Sequence, residues 1–243
     1  MNGAETKLSV RVVIPVFNEE QSIGAVLDEI PRDRVDEVIV VDNGSGDNTG
    51  KVAAAHGATV VQEARRGYGA ACQRGIATLA DNTDVVVILD GDHSDYPEDL
   101  DALLGPISAG AADLVVGSRV LGSAQPGALP WNQRWGNALA CGLMRWLYGE
   151  RFTDLGPFRA MRREHLQAWG LVDRTFGWNV EMQARAVQHG SRIVEVPVRY
   201  RRRIGKSKIT GTVSGTVRAG TKIIGTLLRL MPAVRRAKKR RMR

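Results

Sequence analysis

Apolar residues along the chain form short, almost unbroken runs, and these runs alternate with longer stretches in which apolar and polar positions are mixed. An unbroken apolar run predicts a strand that is buried on both faces, because a strand with one face in water alternates apolar and polar positions. The strands predicted in this way cover residues 8–17, 35–42, 58–62, 84–90, 112–119 and 191–200.

The mixed stretches between the runs predict helices. Gly57 closes one of them, and Pro97 followed by acidic residues opens another, as is usual at helix ends. The predicted helices cover residues 21–30, 47–57, 68–80, 97–107, 131–149, 180–190 and 212–231. Alternating strands and helices predict an α/β fold with a mostly parallel central sheet covered by helices on both faces. In such sheets ligands bind outside the carboxyl ends of the strands.

Composition narrows the class of protein. Apolar residues make up 43% of the 243 residues, so a sizeable core is expected and global disorder is excluded. No run of about 18 apolar residues occurs, which argues against a membrane span. The start of the chain lacks the features of a signal peptide. Cys72 and Cys141 stand far apart without metal-ligand spacing, which indicates a reduced, cytoplasmic chain.

Basic residues are concentrated in the last fifth of the chain. Residues 196–243 contain 16 Lys and Arg and no Asp or Glu, whereas residues 1–195 contain 18 basic and 26 acidic residues. Such a block favours phosphate, anionic lipid or nucleic acid as a partner. Nucleic acid is the least favoured, because Tyr200 is the only aromatic residue after position 195 and single-stranded bases stack on aromatic rings. The end of the chain, 235–243, is alternatively a solvated tail.

The predicted final helix is amphipathic. A helix with an apolar side and basic residues beside it is typical of peripheral membrane contact. The alternative is that the same apolar side docks on the rest of the chain or on a partner. Its apolar positions are Val213, Val217, Ile223, Ile224, Leu227, Leu228 and Leu230.

Two carboxylates end the fourth predicted strand, in the segment Asp90-Gly91-Asp92. Two negative charges at one strand end repel each other, and a cation that contacts both removes the repulsion. Mg²⁺ uses one or two protein carboxylates and takes its other ligands from phosphates and water. The segment therefore predicts a divalent metal that holds a diphosphate. The alternative is an acidic turn that caps the helix beginning at Pro97.

Other segments carry groups suited to a nucleotide or to phosphate. Asp42 ends the second strand, where its carboxylate would accept hydrogen bonds from a base or a ribose. Arg66 and Gly67 precede a helix, whose N-terminus favours anions. Arg119 at a strand end and the basic segment 200–208 carry guanidinium groups, which bind phosphate with two hydrogen bonds. Ordinary turns and a solvated basic linker remain the alternatives.

Taken in order, eight segments resemble family 2 glycosyltransferases with the GT-A fold, and especially the dolichyl-phosphate mannose synthase-like branch with its bacterial polyprenyl-phosphate glycosyltransferases. The resemblance covers roughly residues 8–210. The segments are VVIPVFNEE (12–20), VIVVDNGSGDNT (38–49), RRGYGAA (65–71), ILDGDHSDYPED (88–99), GSR (117–119), TDLGPFRAMRRE (153–164), WNVEM (178–182) and RRRIGKSK (201–208).

This resemblance implies an enzyme that uses a nucleotide-diphosphate sugar and Mg²⁺ or Mn²⁺ and inverts the anomeric carbon. It implies that Asp90 and Asp92 hold the metal. Asp92, Arg119 and Glu181 would be catalytic, with Glu181 as the base if the acceptor is a hydroxyl. The residues implied to bind the nucleotide sugar are Pro15, Phe17, Glu19, Asp42, Arg66, Gly67, Asp90 and Gly91. Those implied to hold an acceptor phosphate are Arg202, Ser207 and Lys208.

We therefore expect a GT-A catalytic domain in residues 1–210 and a basic amphipathic helix and tail in residues 211–243. The expected acceptor is a polyprenyl phosphate at the cytoplasmic face of the membrane, and a homo-oligomer is compatible with these features. The alternative is the same chemistry on a soluble hydroxyl or phosphate acceptor, and a nucleic-acid-binding protein is less favoured. The segment TDLGPFR departs from the Ser-Gly-Phe-Arg version common in mannose synthases. That departure favours a UDP-glucose-like donor over a GDP-mannose-like one.

Overall fold

The computed structural model describes residues 8–205 and 213–241. The strands in this part of the chain are β1 (Val10–Val16), β2 (Glu37–Asp42), β3 (Thr59–Gln62), β4 (Val85–Ile88), β5 (Leu114–Ala124), β6 (Arg159–Arg162) and β7 (Ile193–Tyr200). The α-helices are α1 (Ile23–Asp28), α2 (Thr49–Ala55), α3 (Tyr68–Ala77), α4 (Leu100–Ser108), α5 (Trp131–Tyr148), α6 (Arg163–Trp169), α7 (Trp178–His189) and α8 (Val213–Arg241).

The strands form one sheet in the order β3-β2-β1-β4-β6-β5-β7. They pair in parallel, except that β6 runs antiparallel to its neighbours β4 and β5. The prediction of an α/β fold with a mostly parallel sheet is confirmed. Because β1, β2 and β4 are parallel, their carboxyl ends open at one edge of the sheet, where ligands bind in such folds.

Side chains at alternate positions of a strand point to opposite faces of the sheet. One face packs against α1 and α4, and its core includes Ile14, Leu27 and Leu103. The other face packs against α3, α6 and α7, and its core includes Val13 and Trp178. Helices therefore cover both faces, which is why the strands are apolar at almost every position.

The sequence pattern does not predict β6 or α6. β6 has only four residues and carries an arginine at each end, so it contains no apolar run. Arg159 is nevertheless fully buried, and its guanidinium donates hydrogen bonds to the carbonyl oxygens of Leu155 and Asn179. Burial lowers the pKa of Arg159 to about 10. A buried charged residue whose two terminal nitrogens donate to backbone carbonyls hides this strand from any hydrophobicity pattern.

Helix α8 docks on α5 and α7. Leu227 and Leu230 are 0% and 5% exposed and share a core cluster with residues of both helices. The hydroxyl of Tyr148 donates a hydrogen bond to the carbonyl of Leu227 at 2.7 Å. The expectation that Leu227 and Leu230 lie in a membrane interface is therefore corrected, because the protein itself removes them from water. The side chains of Val213 and Val217 lie outside the described part. Among the described residues, no helix combines the length and apolar character needed to cross a bilayer.

Candidate active site

A cavity of about 440 Å³ opens at the carboxyl ends of β1, β2 and β4. Its wall contains eight of the predicted site residues, namely Pro15, Phe17, Glu19, Arg66, Gly67, Asp90, Gly91 and Asp92. It also contains Val16, Asn43, Tyr68, Ala71, Thr175, Phe176 and Arg203. A cavity of this size, with apolar walls and a few convergent polar groups, is typical of a small-molecule site.

Asp90 and Asp92 lie in the turn that follows β4. Asp92 is 5% exposed, and its Oδ1 accepts hydrogen bonds from the backbone N–H and the hydroxyl of Ser94. Asp90 lines the cavity, and its buried Oδ1 has no hydrogen-bond partner among the described residues. Gly91 packs against β1, where a Cβ would lie 2.5 Å from Cγ1 of Val16. The turn thus brings both carboxylates to one cavity.

The pKa values show that this cavity is short of positive charge. Burial and, second, the negative charge of Asp92 raise the pKa of Asp90 to about 7, although Arg203 opposes the rise. The pKa of the neighbouring Asp95 is also raised, first by burial and then by Asp90 and Asp92. In the described residues, no group of three His, Cys, Asp or Glu side chains is placed to hold a metal. Asp90 and Asp92 would therefore bind a cation with only two protein ligands.

Arg203 forms an ion pair with Asp92 in this cavity. Its Nη2 lies 2.9 Å from Oδ2 of Asp92 and 3.5 Å from Oε1 of Glu19. The backbone of the same segment is hydrogen bonded to the turn after β4, from the N–H of Ile204 to the carbonyl of Asp92 (2.9 Å) and from the N–H of Arg201 to the carbonyl of Ser94 (2.8 Å). The segment after β7 is thus part of the same site.

Arg66 lies at the mouth of the cavity, with its guanidinium 3.7 Å from the centre of the Phe17 ring. Asn43 fixes the loop that carries it. Asn43 donates hydrogen bonds to the carbonyl oxygens of Glu63 and Arg65 and accepts one from the N–H of Gly67 at 2.8 Å. Its place directly after β2 is the only sequence signal for this role.

Asp42 does not line the cavity. Its carboxylate accepts hydrogen bonds from the backbone N–H of Ser45 (2.8 Å) and the side chain of Gln62 (3.1 Å). Asp42 therefore holds the turn after β2.

Glu181 is placed away from the cavity. The side chain on α7 is 0% exposed and accepts hydrogen bonds from the backbone N–H groups of Val172 (3.0 Å) and Asp173 (2.6 Å). The loop that it holds continues to Thr175 and Phe176, which line the cavity. The structure does not support Glu181 as a general base, because a base must reach the proton it removes.

Arg119 lies in a second, larger groove of about 980 Å³ between β5 and α5. Its guanidinium forms two hydrogen bonds with Asp154, at 2.8 and 2.7 Å. Arg202 borders the same groove, since its Nε donates to the carbonyl of Pro126 at 2.8 Å. Arg119 and Arg202 therefore do not line the cavity that holds Asp92, although the charge of Arg119 still lowers the pKa of Asp90. Ser207 and Lys208 lie outside the described residues.

Comparison with known proteins agrees with this architecture. An uncharacterized glycosyltransferase of Mycobacterium tuberculosis is 41% identical over 213 residues, which cover 86% of this chain and 93% of that protein. A dolichyl-phosphate hexose transferase of Haloferax volcanii is 37% identical over 84% of this chain and 88% of its own length. An undecaprenyl-phosphate mannosyltransferase of Micrococcus luteus is 33% identical over 86% of this chain and 90% of its own length.

Among solved structures, the chain is similar to glucosyl-3-phosphoglycerate synthase from Mycobacterium tuberculosis in complex with Mn²⁺, UDP and glucosyl-3-phosphoglycerate. The TM-score is 0.76 at 26% identity, with 93% of this chain and 80% of that chain covered. The sequence pattern described as Glycosyl transferase family 2 matches residues 11–170, most of the sheet and the whole cavity turn. The chain therefore belongs to glycosyl transferase family 2 and is a glycosyltransferase with the GT-A fold.

Proposed function

We propose that the protein is an inverting, metal-dependent hexosyltransferase that moves a sugar from a nucleotide-diphosphate sugar to a polyprenyl phosphate at the cytoplasmic face of the membrane. The observation that carries the proposal is the cavity that holds Asp90 and Asp92 together with Arg66 and Arg203. Carboxylates beside arginines suit a divalent cation and a diphosphate bound together.

The side chains at the turn after β4 fit Mg²⁺ or Mn²⁺. Oδ1 of Asp90 is buried without a hydrogen-bond partner in the described residues, and Oδ2 of Asp92 already faces a cation, Arg203. When bound, the metal would be held by Asp90 and Asp92 and would supply positive charge to the leaving diphosphate. Solved relatives in complex with Mn²⁺ and UDP, or with Mg²⁺ and UDP, support this part of the proposal.

The roles of the other groups follow from their positions. Arg66 is exposed at the cavity mouth and stabilises the charge that develops on the diphosphate. Arg202 positions the acceptor phosphate at the border of the larger groove. A phosphate oxygen is already anionic near neutral pH, so it attacks the sugar with little help from a base. This acceptor is therefore compatible with a Glu181 that is buried away from the cavity.

The nature of the acceptor is supported by two relatives whose names state activity on dolichyl or undecaprenyl phosphate. The basic residues after position 195 also suit an anionic acceptor at a membrane surface. We propose a UDP-glucose-like donor ahead of a GDP-mannose-like one, because of the departure at residues 153–159.

A transfer assay tests the proposal. The full chain is incubated with labelled UDP-glucose or GDP-mannose and a polyprenyl phosphate, with Mn²⁺, Mg²⁺ or a chelator, and the labelled lipid is extracted. We expect metal-dependent product from one donor and a loss of at least about 100-fold in Asp92→Asn. Asp33→Asn, which removes a carboxylate that is 79% exposed, serves as the matched control. Product that forms equally with the chelator would refute the proposal.

A soluble acceptor is the second candidate. It is favoured by the solved structures that contain phosphoglyceric acid with UDP-glucose and Mn²⁺ at a TM-score of 0.76. The same assay with 3-phosphoglycerate in place of the lipid distinguishes the two. A higher kcat/KM for the soluble phosphate than for any prenyl phosphate would select this alternative.

A further inference from the structure

The outward face of α5 carries large apolar side chains that the fold does not bury. Trp131, Trp135 and Trp146 are 78%, 70% and 72% exposed, and Leu139 is 48% exposed. At about 100° per residue, these four positions fall within an arc of about 80° on one side of the helix. We call this surface the tryptophan face. Exposed tryptophan is uncommon, and several exposed tryptophans on one side of a helix mark an interaction surface.

The opposite side of α5 fixes the helix in place. Cys141, Met144 and Leu147 are buried in the core cluster that α5 shares with α7 and α8. The tryptophan face is therefore held outward by a packed helix, and the folded chain does not use it for its own stability.

The charges around the tryptophan face select its partner. α5 contains no Asp or Glu, and its two charged residues, Arg134 and Arg145, are exposed beside the stripe. Tryptophan prefers the boundary between lipid headgroups and acyl chains, and arginine beside it attracts anionic headgroups. A second copy of the chain is a poorer partner, because a two-fold contact would bring together two surfaces that have arginines and no acids.

The larger groove opens beside this face and gives the contact an orientation. Trp131, Trp135 and Leu139 form part of its wall, and Arg119 lies at its other side. We propose that the tryptophan face of α5 lies in the interface of an anionic bilayer, with the groove open toward the lipid. The inference deepens the proposed function, on which it rests, because it assigns to α5 the membrane contact that the apolar side of α8 cannot make.

Vesicle binding tests the inference without any reading of activity. The full chain is mixed with vesicles of phosphatidylcholine and phosphatidylglycerol, some containing brominated lipid, and binding is measured by sedimentation and tryptophan fluorescence. Trp169 and Trp178 are each 1% exposed, so changes in emission report on the tryptophan face. We expect blue-shifted emission, quenching by bromine, and at least about a tenfold loss of affinity in the triple variant Trp131→Ala, Trp135→Ala, Trp146→Ala.

Two further variants sharpen the test. Val172→Ala removes apolar surface from another 56% exposed position and should bind as the unchanged protein does. Arg134→Glu with Arg145→Glu keeps the tryptophans and should weaken binding to anionic vesicles much more than to neutral ones. Unchanged affinity of the tryptophan variant, absence of quenching, or a lipid-free dimer that the variant dissociates would each overturn the inference.

A different experiment tests the proposed function. If the unchanged protein transfers no sugar to citronellyl phosphate, a short water-soluble prenyl phosphate that needs no bilayer, the acceptor assignment is wrong even where vesicles bind. If that transfer occurs and vesicles do not bind the tryptophan face, only the inference about α5 is wrong.

Discussion

Arg203 balances part of the negative charge of the turn after β4. Its guanidinium lies 2.9 Å from Asp92 and 3.5 Å from Glu19, inside a cavity where Asp90 already has a raised pKa. A divalent cation at the proposed site would compete with this guanidinium for the same carboxylate oxygen, because both are attracted to Oδ2 of Asp92. Metal binding would then include the cost of loosening the Arg203 contact.

We expect Arg203→Gln to bind Mn²⁺ more tightly in the absence of nucleotide, by about three- to tenfold, which corresponds to a partly exposed ion pair of about 1 kcal/mol. Free Mn²⁺ is measured by its electron paramagnetic resonance signal. Arg202→Gln removes the same charge from a neighbouring residue that lies outside the cavity, so its Mn²⁺ affinity should not change. Weaker Mn²⁺ binding by the Arg203 variant would contradict the competition.

Gly91 matters because of close packing rather than because of an unusual backbone angle. A Cβ at this position would lie 2.5 Å from Cγ1 of Val16 on β1. We expect Gly91→Ala to lower the free energy of unfolding by about 1–3 kcal/mol, the usual cost of overpacking. Gly136→Ala on α5, where a Cβ meets nothing within 4 Å, should be neutral or stabilising. Urea denaturation of both variants makes the comparison, and equal stabilities would show that the turn relaxes freely.

At the scale of single residues, the sequence predicts which residue types enter the site better than it predicts where each side chain points. The aspartates after β4 and Arg66 are in the cavity because strand ends converge in a parallel sheet. The same argument does not predict which of the consecutive arginines 201–203 enters the cavity. Arg201 pairs with Glu29, Arg203 with Asp92, and Arg202 turns the other way toward Pro126. Only the path of the extended backbone after β7 decides which of them contacts Asp92.

At the scale of elements, α8 is a packed part of the catalytic fold. Lys222 lies 3.0 Å from Asp173, in the loop that leads to the cavity residues Thr175 and Phe176. The same loop supports α3, because the N–H of Ala70 donates a hydrogen bond to the carbonyl of Arg174 at 3.0 Å. Displacement of α8 would therefore disturb the wall of the cavity that holds Asp90 and Asp92 as well as its own core cluster.

Adjacent leucines on α8 give a matched test of this docking. We expect Leu227→Ala to lower the free energy of unfolding by about 2–5 kcal/mol, since the side chain is fully buried. Leu228→Ala should change it by less than about 0.5 kcal/mol, because Leu228 is 50% exposed. Both values come from urea denaturation followed by circular dichroism. Similar small effects for the two variants would mean that α8 is not docked in solution.

Physical causes decide which elements can be predicted from the sequence and which cannot. Long apolar strands such as β1 and β2 are predictable because one property, burial on both faces, sets every position. The surface on which an amphipathic helix packs is not predictable from the sequence. The apolar side of α8, for example, suits a bilayer and a protein core equally. The tryptophan face of α5 is hidden by the same ambiguity, because periodicity does not say which apolar side of a helix is buried.

At the scale of the whole molecule, charge is divided along the chain. All 26 acidic residues precede position 196, and the charged residues of α8 are all basic. α8 packs on α5 and α7, and its exposed cations Lys239 and Arg240 lie near its C-terminal end. Long-range attraction to an anionic surface would orient the molecule before any tryptophan touches lipid.

The salt dependence of vesicle binding distinguishes this electrostatic attraction from insertion of the tryptophans into lipid. We expect Lys239→Gln with Arg240→Gln to weaken binding to anionic vesicles about 30-fold at low salt, from about 1 kcal/mol per basic residue near the surface. Near 1 M salt the difference should almost vanish, because charges are screened beyond about 3 Å. Lys51→Gln with Arg74→Gln, which removes two exposed cations from α2 and α3, is the matched control and should have little effect. If both pairs weaken binding equally, attraction follows net charge alone and the basic end of α8 does not orient the protein.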